Sequence, residues 1–178
     1  MTDSTSTLPP MRLGEIVLAT GRYEILKEWY RQMLDIDPSL EHVTDNTGTN
    51  ADPTKPTRRC FFRMHLEHPY QDVVAIFEVP NSPDTASGNS RLHHMQLRNA
   101  SIAVLRDRYR RLRAAGVVPH LAMDHGSSTS LYYHDPDQNV VEIAASNFAT
   151  QEETLACLAS EAYRRNPSGN IIDPESWV

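Results

Sequence analysis

Arg91-Leu92-His93-His94-Met95-Gln96-Leu97 decides the fold, because the chain carries the pattern twice. Seventy-nine positions earlier stands Arg12-Leu13-Gly14-Glu15-Ile16-Val17-Leu18. The same offset sets Ile25 against Val104, Leu26 against Leu105, Tyr30 against Tyr109 and Arg31 against Arg110. Each copy is an apolar strand followed by an amphipathic helix, and self-similarity at a fixed offset defines an architecture before any motif is read. The repeat makes Glu15 and His94 equivalent. Two polar, metal-capable side chains are then expected to face each other across a pseudo-twofold axis.

Working outward, the first copy takes residues 12–80. Its strand, 13–20, leads past Gly21 into a helix over 23–34, where Leu26, Trp29, Tyr30, Met33 and Leu34 fall on one face at helical spacing. Residues 45–57 are too polar and too rich in turn formers for an element and read as a long surface loop. Strands are expected over 59–66 and 72–79. A linker, 81–90, separates the second copy, 91–146. That copy reads as strand 91–98, helix 101–115 stopped by Gly116, and strands 117–123, 130–134 and 140–144.

The ends differ from the body. Residues 1–11 are polar and read as a disordered tail. In 147–178, Thr150 and Glu153 have capping-box spacing, Leu155, Leu158, Ala159 and Ala162 form an apolar stripe, and Asn166-Pro167 is a stop. Ile171, Ile172 and Trp177 predict a tail that docks on the body. The fold class is α+β: two tandem β-α-β-β-β modules forming a curved mixed sheet around a central cavity, plus a C-terminal helical tail.

Composition limits the function. The chain has 178 residues, 39% hydrophobic and 22% charged, with a net charge of −6. An acidic chain argues against nucleic acid and offers a membrane surface nothing. No apolar run approaches the ~20 residues of a spanning helix. The polar start is unlike a signal peptide. Cys60 and Cys157 match no metal spacing and read as free thiols in a reducing compartment, so a cytoplasmic location is expected.

Strand alternation sorts the polar residues. Met95 and Leu97 share a face with His93, while His94, Gln96 and Arg98 take the other. The helix covers the apolar face, so His94 and Gln96 turn to the concave side. The same rule sends Glu15 and Val17 inward from the first strand and Glu142 inward from the last. Glu15, His94 and Glu142 are thus expected to converge on one cavity. An imidazole between two carboxylates can bind a divalent cation and leave positions open for substrate. Taken singly, each has an ordinary explanation: an inward Glu usually pairs with a cation, for which Arg63 and Arg98 are available, and a strand His is usually a hydrogen-bonded core residue. Beside them, His125 precedes a Gly-Ser turn at the cavity mouth, and Tyr132 lies on the strand next to that of Glu142. A His and a Tyr near a metal move protons and hold a substrate oxygen. Gln96 and Tyr132 are the candidates to hold substrate.

These residues resemble the vicinal oxygen chelate superfamily, which includes glyoxalase I, fosfomycin-resistance proteins and type I extradiol ring-cleaving dioxygenases. The resemblance covers about residues 12–146. It is carried by Leu13-Gly14-Glu15-Ile16-Val17-Leu18 with Trp29-Tyr30, by Leu92-His93-His94-Met95-Gln96-Leu97, and by the run from Tyr132 through Asp135-Pro136-Asp137 to Glu142. It implies metal ligands at Glu15, His94 and Glu142, an acid–base histidine at His125 and a substrate-binding tyrosine at Tyr132. At Glu15 the chain departs from the ring-cleaving pattern, which has His there. A second carboxylate favours harder ions and moves the site toward the glyoxalase type, where Glu78 is a weak fourth candidate ligand. Gln138 stands where the turn usually has Gly, a difference read as structural.

Three functions follow. The first is an oxygenase using Fe(II) on a catechol-like or other small molecule with two vicinal oxygens. The second is a non-redox isomerase, lyase or hydrolase using Mn(II), Co(II) or Zn(II) as a Lewis acid. The third is a metal-free small-molecule binding protein. A homodimer is compatible with all three.

Overall fold

The computed structural model describes residues 11–44, 56–67, 70–80, 82 and 92–177. The tail expected at 1–11, the loop at 45–57 and the linker at 81–90 fall outside the described residues except at their margins. The chain divides into two compact units, one of Met1–Tyr23 and Leu34–Ser82, the other of Glu24–Met33 and Pro83–Val178.

The sheet of the first unit holds β1 (Glu15–Thr20), β2 (Leu40–Val43), β3 (Arg58–Glu67) and β4 (Tyr70–Glu78) in the order β1-β4-β3-β2. β1 runs parallel to β4, and the other pairs are antiparallel. Registers Leu18↔Ile76 and Cys60↔Ile76 place these three buried side chains on one face. Glu15, Val17 and Ala19 alternate to the other face and are exposed. The short strand Leu40–Val43 is exposed throughout, so no apolar alternation marks it in the sequence.

The second unit repeats this topology. β5 (Met95–Arg98), β6 (Leu121–Asp124), β7 (Ser128–His134) and β8 (Val140–Ser146) lie in the order β5-β8-β7-β6, with β5 parallel to β8. The tail adds a fifth strand, β9 (Asn170–Ile171), to the open edge of β6. Helix α2 (Ile102–Ala114) starts at Ser101, whose side chain accepts the N–H of Val104. It buries Leu105, Tyr109 and Leu112. The apolar face of the sheet is built from Met95, Leu131, Tyr133, Val141 and Ile143. At ~1.5–3 kcal/mol for each large side chain withdrawn from water, this core dominates the stability of the unit.

Helix α1 (Tyr23–Leu34) has the bounds its spacing predicts, and Leu26, Tyr30, Met33 and Leu34 are buried while Trp29 is partly exposed. Its residues 24–33 group with the second unit. The Tyr30 hydroxyl donates to Asp135 at 3.1 Å, and Arg108 donates to the Met33 carbonyl at 3.0 Å.

Asp135 opens the turn between β7 and β8. Its buried carboxylate also accepts the N–H groups of Asp137 and Asn139 and the Asn139 amide. Gln138 takes the left-handed conformation there, φ 68°.

The expected tail helix is two helices, α3 (Gln151–Ala159) and α4 (Glu161–Arg165). The capping box of Thr150 and Glu153 is present. Ser160, in extended conformation, ends the first helix and accepts the N–H of Tyr163 to start the second. The apolar stripe does not form a buried face: Leu155 and Leu158 are exposed. The last segment meets the body through β9 and the short helical turn Pro174–Trp177, where Glu175 is held by Arg113 and Tyr109 and the Trp177 ring packs on Tyr109. Among the described residues, no helix is long and apolar enough to cross a membrane.

Candidate active site

One face of the second sheet carries a row of polar side chains. Registers Gln96↔Glu142 and Tyr132↔Glu142 put the three residues level across β5, β8 and β7. In-register neighbours share a face, so these three lie together on the face opposite Met95, Tyr133 and Val141. Glu142 is only 2% exposed. The Gln96 amide donates to one of its oxygens at 2.9 Å, and His94 Nε2 lies 3.0 Å from the other.

That surrounding is unusual for a buried carboxylate. A charge withdrawn from water needs a compensating charge as well as hydrogen bonds. Arg98, available in the sequence, is not the partner of Glu142; its partners are the Gln96 amide, the His94 imidazole and the Tyr132 hydroxyl. A buried oxygen pair with an imidazole nitrogen beside it fits a divalent cation. Among the described residues no three His, Cys, Asp or Glu side chains form a ready cluster; this sheet brings two together, His94 and Glu142.

His125 and Tyr132 stand next to this pair. His125 follows the end of β6, and Gly126, at φ 78°, makes the turn expected after it. The His125 Nε2 is 3.0 Å from the Tyr132 hydroxyl, while its Nδ1 is 2.8 Å from the backbone oxygen of Ser168. The Tyr132 ring meets that of His94 edge-on at 6.0 Å. Burial first, and then the charge of Glu142 opposite, push the Tyr132 phenol above its ordinary value. The hydroxyl therefore keeps its proton near neutrality and can donate it in a hydrogen bond.

Residues 12–143 match the family model described as the Glyoxalase/Bleomycin resistance protein/Dioxygenase superfamily. The chain belongs to this superfamily. Biphenyl-2,3-diol 1,2-dioxygenase 2 of Rhodococcus globerulus is 32% identical over 164 residues, covering 92% of this chain and 77% of that protein. Biphenyl-2,3-diol 1,2-dioxygenase 3 of the same organism is 32% identical over 165 residues, covering 92% and 78%. Among solved structures, a glyoxylase/bleomycin resistance protein/dioxygenase domain from Frankia sp. EAN1pec superposes with a TM-score of 0.58 at 16% identity, covering 78% of this chain and 100% of that one. The fosfomycin resistance protein FosX of Listeria monocytogenes gives 0.54 at 16% identity, covering 83% and 99%. The last two likenesses are of fold.

The remaining superfamily candidates lie in the first unit. Glu15 opens β1 with its side chain exposed, on the face it shares with Val17 and Ala19. Glu78 pairs with Thr20 in register and so belongs to the opposite face. Its carboxylate is occupied by Arg58, at 2.6 and 2.7 Å, and by the Thr57 hydroxyl at 2.6 Å. The guanidinium first, then the Thr57 hydrogen bond, hold it below the usual carboxylate range against the cost of burial. Its chemistry is that of a structural ion pair.

Alternation misjudged one residue. His93 was expected on the apolar face, away from His94. Strand β5 begins only at Met95, so alternation does not extend back to it. Its Nδ1 lies 2.7 Å from the Nδ1 of His94, and the adjacent His-His pair was the available signal.

Proposed function

We propose that this superfamily member is an enzyme that cleaves the ring of a catechol-like substrate with O2, in the manner named for its Rhodococcus relatives. The observation that carries this reading is the hydrogen bond between His125 and Tyr132 beside the buried His94–Glu142 pair. A proton acceptor, a protonated phenol and a cation-seeking carboxylate on one sheet face suit a substrate with two neighbouring hydroxyls.

Glu15, His94 and Glu142 are the residues proposed to hold a divalent metal, with Fe(II) as first choice. When bound, such an ion supplies Lewis acidity toward two vicinal oxygens and, if it is iron, electron access to O2. His125 takes a proton from a substrate hydroxyl through Nε2 and returns it later. Tyr132 donates its hydroxyl proton in a hydrogen bond to a substrate oxygen. Gln96 steadies Glu142 and lines the place where the substrate lies. Biphenyl-2,3-diol is the natural probe, since it is the compound named for both relatives.

Glu15 favours a second reading. With two carboxylates in the ligand set, a harder ion and non-redox chemistry of the glyoxalase type become the alternative. The discriminating experiment is O2 uptake with biphenyl-2,3-diol after anaerobic addition of Fe(II). Uptake of one O2 per substrate consumed is expected. Turnover of substrate under nitrogen with Mn(II), Co(II) or Zn(II) replaces the oxygenase reading with the second.

A further inference from the structure

We propose that the carboxy-terminal segment is a working part of this site: the Ser168 carbonyl holds His125 as the tautomer protonated on Nδ1, and Gly169 lets the segment approach closely enough to do so. The proposal rests on His125 acting as a proton acceptor in the reading above, but its geometry stands by itself.

A carbonyl oxygen has lone pairs and no proton. The 2.8 Å contact between His125 Nδ1 and the Ser168 oxygen is therefore made by an Nδ1–H donor. A neutral imidazole carries one ring proton, so Nε2 is left with its lone pair. That lone pair faces the Tyr132 hydroxyl at 3.0 Å and is an acceptor for its proton beside the Glu142 carboxylate, which shares the same hydroxyl. Without Ser168, nothing in this contact would fix which nitrogen is the acceptor. The segment thus decides which end of the ring can take a proton from substrate.

Gly169 explains how the segment reaches His125. It sits at φ 79°, and a Cβ built there would lie 2.1 Å from the Asp124 oxygen and 2.6 Å from the His125 Cα. These are backbone atoms of the residues to be positioned, and they cannot rotate away. The approach is fixed on both sides. Asn166 donates its side-chain amide to the Gly169 carbonyl at 3.0 Å, and β9 pairs Asn170 with Asp124 and Ile171 with Met123. Ile172 continues the ladder by donating to Ala122 at 3.0 Å. A side chain at 169 would lever the Ser168 carbonyl off the ring, so Ser168 and Gly169 are positioning residues that act through His125.

The test reads the tautomer directly, by 15N chemical shifts and long-range 15N–1H couplings of histidine-labelled, full-length protein at a pH where the ring is neutral. The expected wild-type signal for His125 has a protonated Nδ1 and an unprotonated Nε2. An Nε2–H form in the wild type overturns the proposal. In Gly169→Ala the Nε2–H form should appear, with kcat falling about 10-fold or more and KM within about twofold, the size usual for losing an orienting partner. Gly116→Ala is the control: Gly116 has the same left-handed backbone, φ 80°, with no atom near its missing Cβ, so it carries the strain without displacing the segment and should keep the wild-type tautomer and kcat. If Gly169→Ala does not fold, Asn166→Ala loosens the same segment and should shift the tautomer in the same direction. An unchanged tautomer in the folded variant overturns the proposal. Since the tautomer is read without metal or substrate, failure of the oxygenase reading leaves this result intact.

Discussion

His94 Nε2 stands 3.0 Å from a carboxylate oxygen of Glu142, a residue almost wholly withdrawn from water. Its neighbours are an amide, an imidazole and a phenol, none of them a fixed positive charge. If the charge is there to meet a cation, it should burden the protein when no cation is bound. Glu142→Gln should then stabilise metal-free protein by about 1 kcal/mol or more, as a neutral network replaces a buried charge. A Gln at 142 can still accept from His94, and a rotated Gln96 amide can accept from the new side chain. Urea unfolding of both proteins in chelator measures the difference. A loss of stability of that size would assign Glu142 a structural role instead.

Alkaline pH should destabilise the second unit. Burial, and then Asp135, hold the Tyr30 phenol well above its ordinary value; burial, and then Glu175, push Tyr109 up to about 12; burial likewise raises Tyr133. The folded state therefore keeps these protons at a pH where the unfolded chain, titrating near pH ~10, has lost them. Their contribution to stability is complete below about pH 10 and is lost as pH rises from there through the folded values. The urea midpoint should be flat with respect to these groups up to about pH 9 and fall steadily beyond pH ~10. A midpoint unchanged to about pH 11 would contradict the assignment.

Gln138 offers a stabilising substitution. Its hydrogen bond from N–H to the Asp135 carbonyl closes a turn, and its φ of 68° places a side chain where the backbone favours glycine. Left-handed backbone costs a non-glycine residue about 1 kcal/mol, part of which glycine returns through its greater freedom when unfolded. Gln138→Gly should raise stability by about 0.5–1 kcal/mol in thermal unfolding, with no change at the active site. A decrease would mean that the Gln138 side chain holds the turn in some other way.

The same turn marks the limit of what the sequence made legible. The Asp-Pro-Asp pattern and the strand on either side could be read directly, and so could the bounds of α1, the capping box at Thr150 and the alternation of Val141, Glu142 and Ile143 along β8. Each depends on local chemistry or on a short period. The grouping of α1 with the second unit could not be read, because an apolar face does not name the surface that covers it. His93 was misplaced because alternation was run back past the true start of β5. Ser168 and Gly169 left no mark, since one acts through its backbone and the other through having no side chain. The apolar stripe of Leu155 and Leu158 gave one helix where there are two, because a helical period does not show the break that Ser160 makes.

Glu15 separates the two enzymatic readings. Glu15→His would complete the ligand set that the resemblance implies for ring-cleaving dioxygenases and, under the oxygenase reading, should keep or raise iron-dependent O2 uptake. Under non-redox chemistry the same change should reduce activity, since the second carboxylate would be needed to hold a harder ion or move a proton. Steady-state rates of wild type, Glu15→His and Glu15→Gln decide between them. Equal rates for all three would remove Glu15 from the ligand set altogether.

Metal stoichiometry bears on the central claim most directly. Protein purified without chelators should hold one divalent ion per chain by elemental analysis, and chelated protein should recover one equivalent of Fe(II) under anaerobic calorimetric titration. His94→Ala, still folded by circular dichroism, should recover none, and it should lose activity in the same step. Binding of one equivalent to His94→Ala with wild-type affinity would contradict the account.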